Sequence, residues 1–397
     1  MTLDISPILV ISTTILAITL ARMLYLRNSG HMWKQNIFYT IQRARYGYSK
    51  LPESLEAWGF TLSDDREVML AEMRATVNNW ESLRSFFRQK GYTLYYADKA
   101  INQSPPPAEN HSVKERSQYP YARNFIKDNN ELFFYCESPY VRAARDKKGR
   151  EVIIKIISDG GPSAELEVLK VLNTKTARGD SRNHTIPVIE FLTLENFTFV
   201  IMPRWGDAYI EFDTVEEVLF FAKTFLEAFV FLHENRIAHL DFVEQNSAVN
   251  ALYAMYGIAP EGVRDQSSVR YALMDFGNSF KYPGDISLDD TRDTKFFNFA
   301  LHHVDYALYG KEPYNPFAVD FFTCARVLER WTRHIENIVP DLGPFFDSIK
   351  EIDMGQGSRA SHALHRFMEI YRSLPPYVLS QKIDTSHWSQ GVTEHKC

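Results

Sequence analysis

The sequence predicts an α+β protein, with a strand-rich unit followed by a mostly helical one. Strand-like runs crowd the stretch between positions 131 and 202, broken by one amphipathic helix. A long apolar helix, Thr214 to His233, comes next, and helical patterning dominates from there on. Strands and helices do not alternate, so a βαβ order is not expected.

The elements follow from local pattern. Glu131–Cys136 and Tyr140–Ala144 read as strands. Asp146-Lys147-Lys148-Gly149-Arg150 has hairpin-turn chemistry and leads into Glu151–Ile157. Ala164–Leu172 is the amphipathic helix, and Ile186–Leu194 and Phe197–Met202 complete five strands. Upstream, Asp65 closes a good helix start, and Trp80, Leu83, Phe86 and Phe87 recur at helical spacing as one buried face. That face needs cover, so the segment 30–124 is expected to pack on the strand-rich unit. Within it, 101–119 holds Ser104-Pro105-Pro106-Pro107 and reads as a linker. Residues 381–397 form a C-terminal tail.

The N-terminus differs from the rest. Ile5–Leu26 is apolar apart from Ser, Thr and one charge, Arg22. As a helix it would be about 33 Å long, close to the thickness of a bilayer core. Asp4 stands where a cleaved signal peptide would carry positive charge. Arg22, Arg27, Lys34, Arg43 and Arg45 follow the run. The expectation is a transmembrane anchor over 5–26, in a single-pass protein whose bulk lies on the cytosolic face. Four N-x-S/T sequons, at Asn102, Asn110, Asn183 and Asn196, point the other way, since their use would need a lumenal location.

Composition narrows the partners. Apolar residues make up 45% and aromatics 14%, enough for a large core. The net charge is −6 with no basic stripe, which disfavours nucleic acid. Cys136, Cys324 and Cys397 are far apart and suggest neither a metal site nor a disulfide framework.

The most specific signal is His239-Leu240-Asp241-Phe242-Val243-Glu244-Gln245-Asn246, followed by Asp275-Phe276-Gly277. H-x-D-x-x-x-x-N and then D-F-G is the order of a phosphoryl-transfer site. Asp241 would orient the attacking hydroxyl or take its proton. Asn246 and Asp275 would hold Mg²⁺, a hard cation suited to a few oxygen ligands.

With these motifs the chain resembles the eukaryotic protein kinase family over 125–380. The resemblance implies a bilobal fold, with a five-stranded small lobe carrying one helix and a larger helical lobe. It implies ATP and Mg²⁺ as cofactors and a protein hydroxyl, of the Ser/Thr type, as acceptor. Lys155 falls on the strand lysine that holds the ATP phosphates, and Glu165 on its helix partner. Val141 and Ile153 fall on adenine-pocket positions, and Phe197–Trp205 on the strand and hinge leading there. Asp320 resembles the helix aspartate that braces the catalytic loop. His239, Phe276 and Leu169 match the apolar spine between lobes.

The departures are as specific. Phe134, Cys136 and Pro139 occupy the three glycine positions of the family's phosphate-covering loop. Backbone N–H groups approach phosphate less closely past side chains, and proline has none to donate. Ile153 replaces a small alanine, Leu240 an arginine and Val243 a lysine that neutralises the transferred phosphoryl group. Two alternatives to a kinase follow: a pseudokinase acting as a membrane-tethered binding module, or a small-molecule phosphotransferase of related fold.

Overall fold

The computed structural model describes residues 37–397 except 49, 61–64, 98–101, 108–117, 209–211, 255–259, 295–312, 351–359, 385, 390–391 and 396–397. The expected anchor at 5–26 lies outside these. Among the described residues no helix is long and apolar enough to cross a membrane.

The chain is mixed α+β. A helix over 37–46 comes first. Next are α1 (Arg66–Ser82) and α2 (Arg84–Lys90), then strand β1 (Tyr92–Leu94). After the short strands Tyr96–Ala97, Asn102–Ser104, Arg123–Asn124 and Phe134–Tyr135 come β2 (Val141–Asp146), β3 (Glu151–Ser158), α3 (Ala164–Leu172), β4 (Glu190–Leu194) and β5 (Phe197–Pro203). Helix α4 (Val215–Glu234) opens the helical part. The short strands β6 (Ser247–Val249) and β7 (Tyr271–Leu273) follow, then α5 (Pro316–Thr332), α6 (Leu342–Lys350) and α7 (Ala360–Ser373).

The main sheet is antiparallel, in the order β1-β2-β3-β5-β4, compatible with a bilobal arrangement. It has the expected five strands, but one is not the expected one. Glu131–Cys136 does not join it. Asn129–Leu132 forms a 3₁₀ turn capped by Asp128, and Phe134–Tyr135 pairs with Asn102–Ser104 in a separate small sheet. The edge beside β2 is taken by Tyr92–Leu94, with Leu94 opposite Ala144. Arg204 explains where the displaced segment goes. Its guanidinium donates to the carbonyls of Leu132 (2.6 Å) and Phe133 (2.8 Å), drawing the segment to the end of β5. The fourth expected strand is also shortened, to Glu190–Leu194. Pro187 offers no N–H for the ladder.

Local chemistry accounts for the rest. The β2–β3 hairpin closes through Asp146, whose carboxylate accepts from Lys148 and Arg150 N–H, with Gly149 at φ +78. Asp65 caps α1, accepting from the N–H groups of Glu67 and Val68. Trp80, Leu83, Phe86 and Phe87 are buried as one face. They pack on Leu94, Val152, Ile154, Phe197, Phe199 and Ile201, so α1 and α2, with Tyr48, Leu51 and Trp58, cover one side of the sheet. The period of two turns Val141, Ile153 and Lys155 to the opposite side. Helix α4 is buried nearly all round and forms, with α5 to α7, the second core.

Candidate functional site

The expected site residues converge at the junction of sheet and helices. Lys155, on β3 opposite Val141, is 12% exposed. Its ammonium lies 2.6 Å from Glu165 Oε1 and 2.7 Å from Asp275 Oδ1. Glu165 sits in the first turn of α3, which Ser163 caps by accepting from Leu166 N–H. Glu167, about 200° around the helix from it, is exposed.

One ammonium thus serves two carboxylates. Burial opposes the charge on Lys155, but Glu165 and Asp275 outweigh it and hold the ammonium above its ordinary pKa. Burial raises the Glu165 carboxyl, only partly offset by Lys155. Lys155 holds the half-exposed Asp275 carboxyl below its usual range. The cluster keeps a net negative charge, which favours a further cation.

The second half of the site comes from the pairing of β6 with β7, Ser247 opposite Leu273. It sets the loop 239–246 beside 274–278, and Met274 N–H donates to Asn246 O at 2.9 Å. Asn246 Nδ2 donates to Asp241 O (2.7 Å), which orients the amide and leaves Oδ1 as its ligand-capable atom. Asp275 adopts φ +60, a region that Asp tolerates better than most residues. Gly277 packs closely on the cluster: a Cβ there would meet Asp275 Oδ1 at 3.2 Å.

Asp241 is nearly buried, and its Oδ2 accepts from Asn278 Nδ2 at 3.1 Å. Its Oδ1 is buried and meets no donor among the described residues, an orphaned acceptor in an otherwise satisfied loop. Burial raises its pKa, against a lowering by the Asn278 and Asn246 amides. His239 Nδ1 accepts from Asp241 N–H and its Nε2 lies 3.1 Å from Met274 O, which fixes the Nε2–H tautomer. Its ring meets that of Phe276 edge-on at 5.1 Å; Phe276 shares the second core with Leu169.

Asp320, on α5 and buried, braces this loop. It accepts from His239 N–H (2.9 Å) and Leu240 N–H (2.7 Å), and its Oδ2 lies 3.0 Å from His233 Nε2. Those bonds hold Leu240 at φ +62, an uncommon conformation for a bulky residue. The far end of the loop is tied to α5 as well: Glu244 accepts from Trp331 Nε1 (2.8 Å) and pairs with Arg330 (3.1 Å).

Asn278, Glu244 and Arg204 take these roles without any motif in the sequence to mark them. Asn278 directly follows the D-F-G triplet, which is its only positional signal. Phe134, Cys136 and Pro139 stand at the glycine positions as expected, but the passage ahead of β2 is tied to the end of β5, where Arg204 holds Leu132 and Phe133. Trp205 Nε1 donates to Pro120 O (2.8 Å), and Arg123–Asn124 pairs in parallel with Ala251–Leu252. Burial raises the Cys136 thiol pKa; the thiol also senses the Asp275 and Lys155 charges, so this part of the passage borders the cluster.

No family model matches the chain, and no curated protein shows significant similarity to it.

Proposed function

We propose that the protein is an ATP-dependent protein kinase of bilobal kinase-like fold, tethered to a membrane, that transfers the γ-phosphate to a protein hydroxyl. The observation that carries this reading is the Glu165–Lys155–Asp275 cluster, assembled beside a loop that presents Asp241 and Asn246. A phosphoryl-transfer site needs positioned charge more than covalent chemistry, and these groups supply it. Lys155 would bind the phosphates and Glu165 would orient it. Val141 and Ile153 lie on the sheet face where adenine would stack. Asn246 and Asp275, both oxygen donors, would hold Mg²⁺, which supplies charge neutralisation on the phosphates. The Asp241 carboxylate, oriented by Asn278, would take the hydroxyl proton.

The binding-module reading has its own support. Phe134, Cys136 and Pro139 stand where glycines would let a loop cradle phosphate, and Val243 offers no charge near Asp241. Transfer of labelled phosphate from ATP to the chain itself or to a mixed protein acceptor separates the two. Incorporation lost in Asp241→Asn supports the kinase. ATP binding without incorporation, in wild type and variant alike, favours the pseudokinase. Transfer to small alcohols alone favours the small-molecule enzyme.

A further inference from the structure

The helix over 37–46 has its faces reversed. Its polar and aromatic side is the packed one. Arg43 pairs with Glu195 at 2.8 Å, and Tyr48 donates to the same carboxylate at 3.1 Å. Tyr46 meets Phe86 edge-on, with centroids 5.1 Å apart. The outward side carries Ile37, Phe38 and Ile41, which are 41%, 55% and 60% exposed. Ala44 and Arg45 are exposed beside them. At 100° per residue these positions share one arc of about 120°. A helix covering a water-soluble core shows the opposite arrangement.

The chain itself indicates what covers this face. Only residues 27–36 separate the helix from the apolar run Ile5–Leu26. A segment of that length reaches at most about 35 Å, so a bilayer holding the run lies within reach of the helix. Arg27, Lys34 and Arg45 give the neighbourhood a positive charge, which suits anionic headgroups.

We propose that Ile37, Phe38 and Ile41 insert into the interfacial layer of an anionic phospholipid bilayer. This rests on the reading of 5–26 as a membrane anchor. Glu195 lies in the turn joining β4 and β5, so its bonds to Arg43 and Tyr48 fix the helix to the sheet edge. The inserted face would then hold that edge toward the membrane and set the direction in which the candidate site looks.

The test uses the full chain in vesicles of phosphatidylcholine with phosphatidylserine. The photo-crosslinking residue p-benzoylphenylalanine replaces Phe38, or as a control Tyr377, which is 77% exposed in the helical part. The expected result is lipid adducts at position 38 at least five-fold above those at 377. Equal yields at the two positions, or adducts at 38 only to a second copy of the chain, would overturn the proposal. Alkaline carbonate extraction reads the anchor separately. A chain that is extracted yet still labels lipid at 38 keeps the docking face and loses the anchor. A chain that resists extraction but fails to label at 38 keeps the anchor and loses the face.

Discussion

Lys155 Nζ lies 2.7 Å from Asp275 Oδ1 while also bonded to Glu165, so two carboxylates share one cation. Removing the lysine leaves Glu165, which is largely buried, without its cation, and leaves Asp275 Oδ1 with the Gly277 N–H. Lys155→Met should destabilise the fold by about 3–5 kcal/mol, the usual effect of breaking a buried ion pair from one side. Urea denaturation measures this. Millimolar Mg²⁺ should restore part of the loss, because a second cation can take the vacated role between the carboxylates. A loss below about 1 kcal/mol would mean that the cluster is not coupled as its geometry implies.

Asp320 offers a test of the brace. Asp320→Ala would leave the buried N–H groups of His239 and Leu240 unpaired, at about 1–3 kcal/mol each. Phosphoryl transfer should fall by at least two orders of magnitude, while ATP affinity, set mainly on the sheet side, changes by less than about five-fold. Titration calorimetry beside a transfer assay separates the two effects.

The pH profile reports on Asp241. Burial raises its pKa, and only the carboxylate form can accept the proton of a hydroxyl. Transfer should therefore be flat at high pH and fall on acidification, at a pH above that of an ordinary aspartate. Asn278 donates to the carboxylate and so lowers its pKa. Asn278→Leu should move the acid limb to higher pH. A limb that stays in place would remove Asp241 as the titrating group.

Trp80 tests the cover of the sheet. Its ring is buried against Trp58, Phe87 and Phe199, and its Nε1 donates to Pro139 O. Trp80→Ala should cost about 3–5 kcal/mol through the cavity left behind. Because β1 is continuous with this cover, proteolysis near 95–140 should speed up in the variant.

The parts legible in the sequence were those encoded locally. His239 to Asn246 and Asp275 to Gly277 are short spans, and the pairing of β6 with β7 sets them side by side. The helices Ala164–Leu172 and Val215–Glu234 carry their own periodicity and N-cap residues, Ser163 and Thr214. The identity of the fifth strand was not legible. Glu131–Cys136 has good strand composition, and Tyr92–Leu94 is too short to stand out. The choice between them depends on Arg204, about seventy residues from Leu132 in sequence. Asn278 and Glu244 were hidden for the same reason: their partners Asp241 and Trp331 meet them only after folding. The outward apolar face of 37–46 is likewise invisible in the pattern, since periodicity cannot say which side of a helix faces the protein.

The most direct measurement is the thermal stability of the full chain in lipid nanodiscs with ATP, with and without Mg²⁺, beside Asp275→Asn. At 100 times its dissociation constant a ligand stabilises by about 2.7 kcal/mol. A Mg²⁺-dependent rise in Tm that the variant loses is the expected result. No rise at millimolar ATP in either condition would contradict a nucleotide site at Lys155 and Asp275, and with it the kinase reading.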